Sequence, residues 1–350
     1  MRDFPAPSGP PAHLDALSGA ARRILDLQDN AGLVAWFEDG PWDPWNHVEC
    51  AMALNAMGEE AGATRAFDGL AACQLEDGSW LGEYGNALPM ADRDHLSRAS
   101  APAFRDTNFA AYVATGIRHD ALLHDDARRT ARWWPMVRSA MDFVIRLESP
   151  GGGISWCAEA AGTGADDALL AGNASIARSL DCAIALAGWL GKDAREWCDA
   201  RKRLRAALRD SPERFDRSGK GARYAMDWYY PVLSGVLDIA AAKARLAAGW
   251  PVFVAPGLGC RCVADEPWVT VAESAELVMA LAHLGQTRRA RQLFEAQLAH
   301  LDSDGAFWMG WQFEEQIFWP LEKPSWTQAA MILAADALDG QTPAARLLIS

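Results

Sequence analysis

The chain has little of what nucleic-acid, membrane or metal-binding proteins need. No run of Lys and Arg offsets a formal net charge of -13. An acidic surface repels phosphate backbones, so a nucleic-acid role is not expected. No apolar stretch reaches the length of a bilayer span, and Met1-Arg2-Asp3-Phe4-Pro5 lacks the apolar core of a secretory signal. The seven cysteines are an odd set, mostly inside Ala-rich segments. Cys260-Arg261-Cys262 has the wrong spacing for a zinc knuckle, and no second Cys or His pair lies near it. The expectation is a cytoplasmic protein with reduced thiols, no metal and no cofactor. Disorder is excluded as well, because 50% of the residues are hydrophobic and only 23% are charged, enough for a sizeable core.

What the chain has is tryptophan: 16 of them, more than core packing needs in 350 residues. Many fall in expected loops, among them Trp36, Trp42, Trp45, Trp80, Trp156, Trp308, Trp311 and Trp319. Indole faces suit the apolar faces of sugar rings or prenyl chains.

Internal repeats set the fold. Gln74-Leu75-Glu76-Asp77-Gly78-Ser79-Trp80 is echoed by Leu301-Asp302-Ser303-Asp304-Gly305-Ala306-Phe307-Trp308, and more weakly by Gln28 to Trp36 and Leu147 to Trp156. Each time a helical pattern meets a Gly turn, then an aromatic, a polar loop and a second Ala-rich helix. The second helices, apolar nearly all round, are expected over 44–57, 106–116, 172–190, 227–246, 267–284 and 324–338, as a buried inner ring. Amphipathic, Arg-bearing stretches near 13–28, 59–75, 129–147, 192–209 and 286–301 suit an outer ring, with a short outer helix near 240–249. Trp250-Pro251-Val252-Phe253-Val254 reads as a strand. The pattern is that of an all-α, single-domain (α/α)6 toroid, with a loop insertion at about 81–105 and irregular loops on one rim.

The chemistry is expected where the inner helices start. Asp43-Pro44-Trp45 and Glu266-Pro267-Trp268 are near copies, each opening an Ala-rich segment. Aligned starts give the set Asp43, Asp106, Asn173, Asp227, Glu266 and Glu322. Helix caps explain Asp106 and Asn173, but Glu is a poor cap, which singles out Asp43 and Glu266 as a catalytic pair. Two carboxyls, one protonated and one ionised, are what glycoside hydrolysis requires. Crowding in a partly dry cavity would divide the roles by raising one pKa. Repeats one and five are not adjacent in a six-fold ring, which favours the wide gap of an inverting enzyme. Substrate-binding candidates on the same rim are Trp42, Trp45, Trp228, Tyr229, Tyr230, Trp268, Trp311 and Trp326, with Asn46, His47, Asp106, Asn108 and Asp227 to grip hydroxyls. His47 reads more readily as structural than catalytic. Glu49, Glu273 and Glu276 are core hydrogen-bonders or the pocket floor, and Glu314 and Glu315 are a reserve acidic pair.

The Gly-Trp turns resemble those of squalene-cyclase and prenyltransferase toroids. Ala165-Asp166-Asp167 lacks the leading Asp of a cyclase acid motif, however, and no zinc-binding trio of Asp, Cys and His is apparent. Over its whole length the chain resembles the six-hairpin glycosidases, and within them the methylmannose polysaccharide hydrolases, endo-acting α-1,4-mannosidases. The stretches that carry this are Trp42 to His47 and Cys262 to Thr270. The resemblance implies an inverting pair with an Asp acid and a Glu base, which map here to Asp43 and Glu266, and an oligo- or polysaccharide substrate. An isoprenoid cyclase or transferase and a non-catalytic carbohydrate-binding toroid are the alternatives.

Overall fold

The computed structural model describes residues 17–85, 104–158, 164–165, 167–219 and 221–349. Most of the expected insertion, residues 86–103, lies outside them. Among the described residues, twelve α-helices alternate between two rings. The inner ring is α2 (Pro44–Ala56), α4 (Thr107–His124), α6 (Leu170–Trp189), α8 (Ala225–Leu233), α10 (Val271–His283) and α12 (Ser325–Asp339). The outer ring is α1 (Ser18–Asp26), α3 (Glu60–Ala72), α5 (Ala127–Arg146), α7 (Arg195–Asp210), α9 (Ile239–Phe253) and α11 (Thr287–Gln297). Each inner helix packs on the next, and α12 returns to α2, closing the toroid.

Composition explains the layering. In α2 every residue but Asn46 is buried, because Ala, Met, Leu and Val meet neighbours on all sides. In α7 only Trp197, Ala200, Leu204, Ala207 and Leu208 are buried, along one stripe, while its Arg residues face water.

The Gly turns join outer to inner helices in one repeated form. Short bridges pair Gln28 with Val34, Glu148 with Ile154 and Leu301 with Phe307. The turn glycines Gly32, Gly78, Gly152 and Gly305 all have positive φ, between 80 and 90°. Space forbids a side chain there as well: a Cβ on Gly78 would lie 2.1 Å from the Ser139 carbonyl oxygen of α5. Each turn is therefore wedged against an outer helix, and its sequence signature is a packing requirement.

Two expectations need correction. The segment 227–246 is not one inner helix: α8 stops at Leu233, and α9 begins behind Asp238, whose carboxylate caps it by accepting from Ala241 N at 2.8 Å. Residues 250–253 are the last turn of α9 rather than a strand, which is confined to β3 (Val254–Ala255). The β-branched and aromatic run misleads because its side chains pack at helical spacing, with Trp250 under Arg289 at 3.9 Å and Phe253 stacked on Trp228 at 5.3 Å.

Small sheets furnish the rim. β1 (Arg105–Asp106) pairs antiparallel with β2 (Cys157–Ala158). A second sheet runs in the order β3, β4 (Gly259–Arg261), β5 (Trp268–Thr270), β6 (Gly310–Gln312) and β7 (Ile317–Phe318).

Candidate active site

A cavity of ≈ 480 Å³ opens where the inner helices begin. Its construction follows one rule. In five of the six inner helices the third residue on from the capping position lines the cavity; the exception is α12, whose Thr327 is buried. From Asp43, Asp106, Leu169, Tyr224 and Thr270 this gives Asn46, Phe109, Gly172, Asp227 and Glu273, all of which line it.

In α2, α6 and α12 the fourth residue turns outward and clamps the Gly turn of its own repeat. His47 accepts from Val34 N through Nδ1 at 3.1 Å, Asn173 accepts from Ile154 N at 2.8 Å, and Gln328 accepts from Phe307 N at 2.7 Å. Val34, Ile154 and Phe307 each stand two residues past a turn glycine. His47 is thus a clamp equivalent to Asn173 and Gln328, and not a substrate contact. Its Nε2 meets the Ala66 carbonyl at 2.8 Å, which fixes the neutral tautomer with hydrogen on Nε2. Burial pushes its pKa down to about 4. A depressed histidine stabilises the fold above its unfolded pKa of about 6.5 and loses that contribution as pH falls to about 4, a span worth roughly 3 kcal/mol. His47→Gln is therefore expected to flatten part of the acid limb of the unfolding free energy, measured in urea, while kcat stays within a few-fold.

Asp43 caps α2. Its extended backbone (φ -133°, ψ 159°) leads into Pro44, and its carboxylate accepts from Asn46 N at 3.0 Å, Asn46 Nδ2 at 2.5 Å and Trp36 Nε1 at 2.7 Å. Three donors favour the ion, yet burial outweighs them and pushes the pKa up to about 6. Asp106 caps α4 by accepting from Phe109 N at 3.0 Å, and burial, with the nearby Asp43 charge adding to it, raises it to about 7. Asp227 accepts from Ala171 N at 3.2 Å and also rises to about 7, through burial first and then the charge of Asp216. Glu273, half-buried, accepts a hydrogen bond from Thr270 Oγ1.

Glu266, the other member of the expected pair, is placed apart from this cavity. It is not among the residues lining the cavity; its side chain is 53% exposed and lies 3.5 Å from Arg223, which also donates to Asp265 at 2.8 Å. The two Pro-Trp strings lead into different elements. Pro44 is the first residue of α2, whereas Pro267 precedes strand β5, and α10 starts only at Val271. The inserted strand carries Glu266 out to the rim and leaves the inward place to Glu273, seven residues on. Counting from the cap rather than from the proline would have found it.

The aromatic candidates divide. Trp45 lines the cavity, stacked on Tyr112 at 4.7 Å, and Asn108 lines it too. Trp42 is buried, stacked on Tyr84 at 4.3 Å. Tyr229 is wholly buried and donates to Glu276, while Tyr230 packs edge-on to Trp45 at 5.5 Å. Trp228 donates to the Arg245 carbonyl at 2.8 Å, and Trp268 to the Trp319 carbonyl at 2.7 Å. Trp311 packs on Phe318 at 5.1 Å over a different hollow, and Trp326 supports Trp36, the indole that holds Asp43. None of these seven is among the residues lining the main cavity. Indole N–H groups already bonded to carbonyls explain why: much of the tryptophan is mortar between repeats.

Trp156 lines the cavity from the loop that ends its Gly turn, and Tyr224 and Met226 line it from helix-end positions that no periodicity marked. Glu49 and Glu276 lie behind it. Tyr112 donates to Glu49 at 3.2 Å, and both carboxyls are held up chiefly by burial, with the charges of Asp43 and Glu273 adding to it at Glu49 and those of Glu49 and Glu273 at Glu276. Glu314 and Glu315 are exposed at the turn between β6 and β7.

A closed α/α toroid whose inner-helix starts bring several carboxyl groups and an indole face round one cavity has the equipment of a glycoside hydrolase. The enzyme named MMP endo-(1,4)-3-O-methyl-alpha-D-mannosidase, from Mycolicibacterium hassiacum, is 45% identical over 323 residues, 92% of this chain and 86% of its own length. This chain belongs to that enzyme's family and is a glycoside hydrolase. No family model matches it. Among solved structures, a D-mannose isomerase superposes with a TM-score of 0.69 at 12% identity, covering 95% of this chain and 98% of its own. The GH63 mannosylglycerate hydrolase from Thermus thermophilus, with glucose bound, gives 0.63 at 14% identity, covering 90% and 99%. An isomerase and a hydrolase on one scaffold show that these two likenesses carry the fold alone.

Proposed function

We propose that the chain cleaves internal α-(1,4) bonds of a mannan bearing 3-O-methyl groups, with inversion, using Asp43 as acid and Glu273 as base. Glu273 takes a proton from water as the water oxygen attacks the anomeric carbon. The bond from that carbon to the glycosidic oxygen breaks, and the proton of Asp43 passes to the departing oxygen. The observation that carries this reading is the contrast between two carboxyls on one cavity. Asp43 is buried and raised to about 6, and Glu273 is half-buried on α10, which α12 separates from α2 in the ring. An inverting mechanism places its water between two such carboxyls. Asp106, Asp227, Asn46 and Asn108 would hold hydroxyls, with Trp45 under a sugar face. The linkage and the methyl ether follow the name of the 45%-identical relative.

We also take the protein to be a single-domain cytoplasmic one. No disulfide links the cysteines among the described residues, as suits a reducing compartment. No described helix is long and apolar enough to cross a membrane.

The test is hydrolysis of α-(1,4)-linked 3-O-methylmannose oligosaccharides beside their unmethylated and β-linked counterparts, across pH. An acid works only when protonated, so kcat/KM is expected to fall as pH rises past about 6. A profile flat to pH 8, or preference for β-linked chains, contradicts the proposal.

A further inference from the structure

Building on the glycanase reading, we propose that the substrate cleft continues past Asp227 into a second hollow that holds further sugar residues of the polymer. This hollow, ≈ 680 Å³, lies between α9 and residues Asp216, Gly219, Gly221, Ala222 and Tyr224. It shares Asp216, Gly221, Tyr224 and Asp227 with the active cavity, so the two spaces meet along one wall. A drug-sized ligand occupies about 300–1,000 Å³, and the second hollow alone is of that class.

Its lining fits a sugar with blocked hydroxyls. Ala244 and Ala248, both exposed, follow one another at helical spacing on α9, and their small side chains leave the space open. Leu170 and Phe253 add apolar surface, suited to methyl ethers. The polar groups are few and fixed. Arg245 donates through Nε to the Trp228 carbonyl at 2.8 Å and through Nη2 to the Asp227 carbonyl at 2.5 Å, which pins the guanidinium beside the hollow. Asp216 is anchored through Oδ1 to Leu170 N at 3.1 Å, as Asp227 is to Ala171 N. Rigid hydrogen-bonding groups beside an apolar floor bind with little ordering cost. An exo-acting enzyme needs a closed end to its site; a second hollow bordering the first suits an internal cut on a long chain.

Ala248→Trp and Ala244→Trp, one turn apart on the exposed face of an outer helix, fill the hollow without touching the core. The measurement is the ratio of kcat/KM for a long methylmannose oligosaccharide to that for the shortest one cleaved. Binding of the same two ligands to the Asp43→Asn background, with and without Ala248→Trp, is read by calorimetry. The expected result is a fall of about tenfold in both ratios, one subsite's worth of binding. Ratios equal to the parent's overturn the second hollow and leave the active-site reading standing. A parent that neither binds nor cleaves any manno-oligosaccharide overturns the glycanase reading itself, and the hollow with it.

Discussion

Asp43→Asn and Glu273→Gln are each expected to lower kcat by about 10³-fold, the scale of a lost general acid or base, with far-UV circular dichroism unchanged. Glu266→Gln is expected to stay within a few-fold of the parent, since it removes only an exposed ion pair, worth about 0–1 kcal/mol. The contrast rests on placement. Asp43 is 2% exposed and bonded to two side chains and a backbone N–H, whereas Glu266 faces solvent on the rim. Asn at position 43 still caps α2, so a loss of rate without a loss of helix isolates the chemical role. Were Glu266→Gln the inactive variant and Glu273→Gln the active one, the assignment of the base would be reversed.

The second large effect concerns the fold. Gly78→Ala is expected to lower the unfolding free energy by about 3 kcal/mol, from left-handed strain and steric overpacking together. Its φ is 90°, and the new Cβ would meet the Ser139 carbonyl oxygen at 2.1 Å, so either the turn or α5 must shift. Gly191 separates the two causes. It has φ of 65° with nothing within 4 Å of its would-be Cβ, so Gly191→Ala carries backbone strain alone, about 1 kcal/mol. Urea midpoints of the two variants against the parent give both terms. Equal shifts would mean that the repeated turn is not wedged against the outer ring.

The toroid was legible because its determinants are local and periodic. Ala-rich stretches such as 44–56 can be buried on every side, and the Gly turns recur because each packs on an outer helix. The resemblance to methylmannose polysaccharide hydrolases, carried by Trp42 to His47 and Cys262 to Thr270, stands with the 45% identity to the mycolicibacterial enzyme. Asp106, Asn108, Asp227, Asn46 and Trp45 meet on one cavity for a physical reason: helix starts in this ring converge.

What misled was similarity of short strings. Glu266-Pro267-Trp268 looks like Asp43-Pro44-Trp45, but a three-residue strand, β5, intervenes before α10, and nothing in those letters distinguishes a proline that opens a helix from one that precedes a strand. His47 was ambiguous because its partner, Val34 N, is supplied by the turn of its own hairpin, a tertiary contact. The tryptophans divide between cavity and packing for the same reason. Whether an indole N–H meets sugar or a carbonyl such as that of Leu70, which takes Trp80 Nε1 at 2.9 Å, depends on which loop lies opposite.

In the proposed mechanism, water entering from the Glu273 side of the sugar while Asp43 protonates the other side fixes the configuration of the new hemiacetal. Proton NMR of the anomeric region during the first minutes of cleavage of an α-(1,4)-linked 3-O-methylmannose oligosaccharide reads it directly. The β-anomer is predicted to appear first and to mutarotate afterwards. Initial release of the α-anomer would require a covalent sugar intermediate and would contradict a water-activating Glu273.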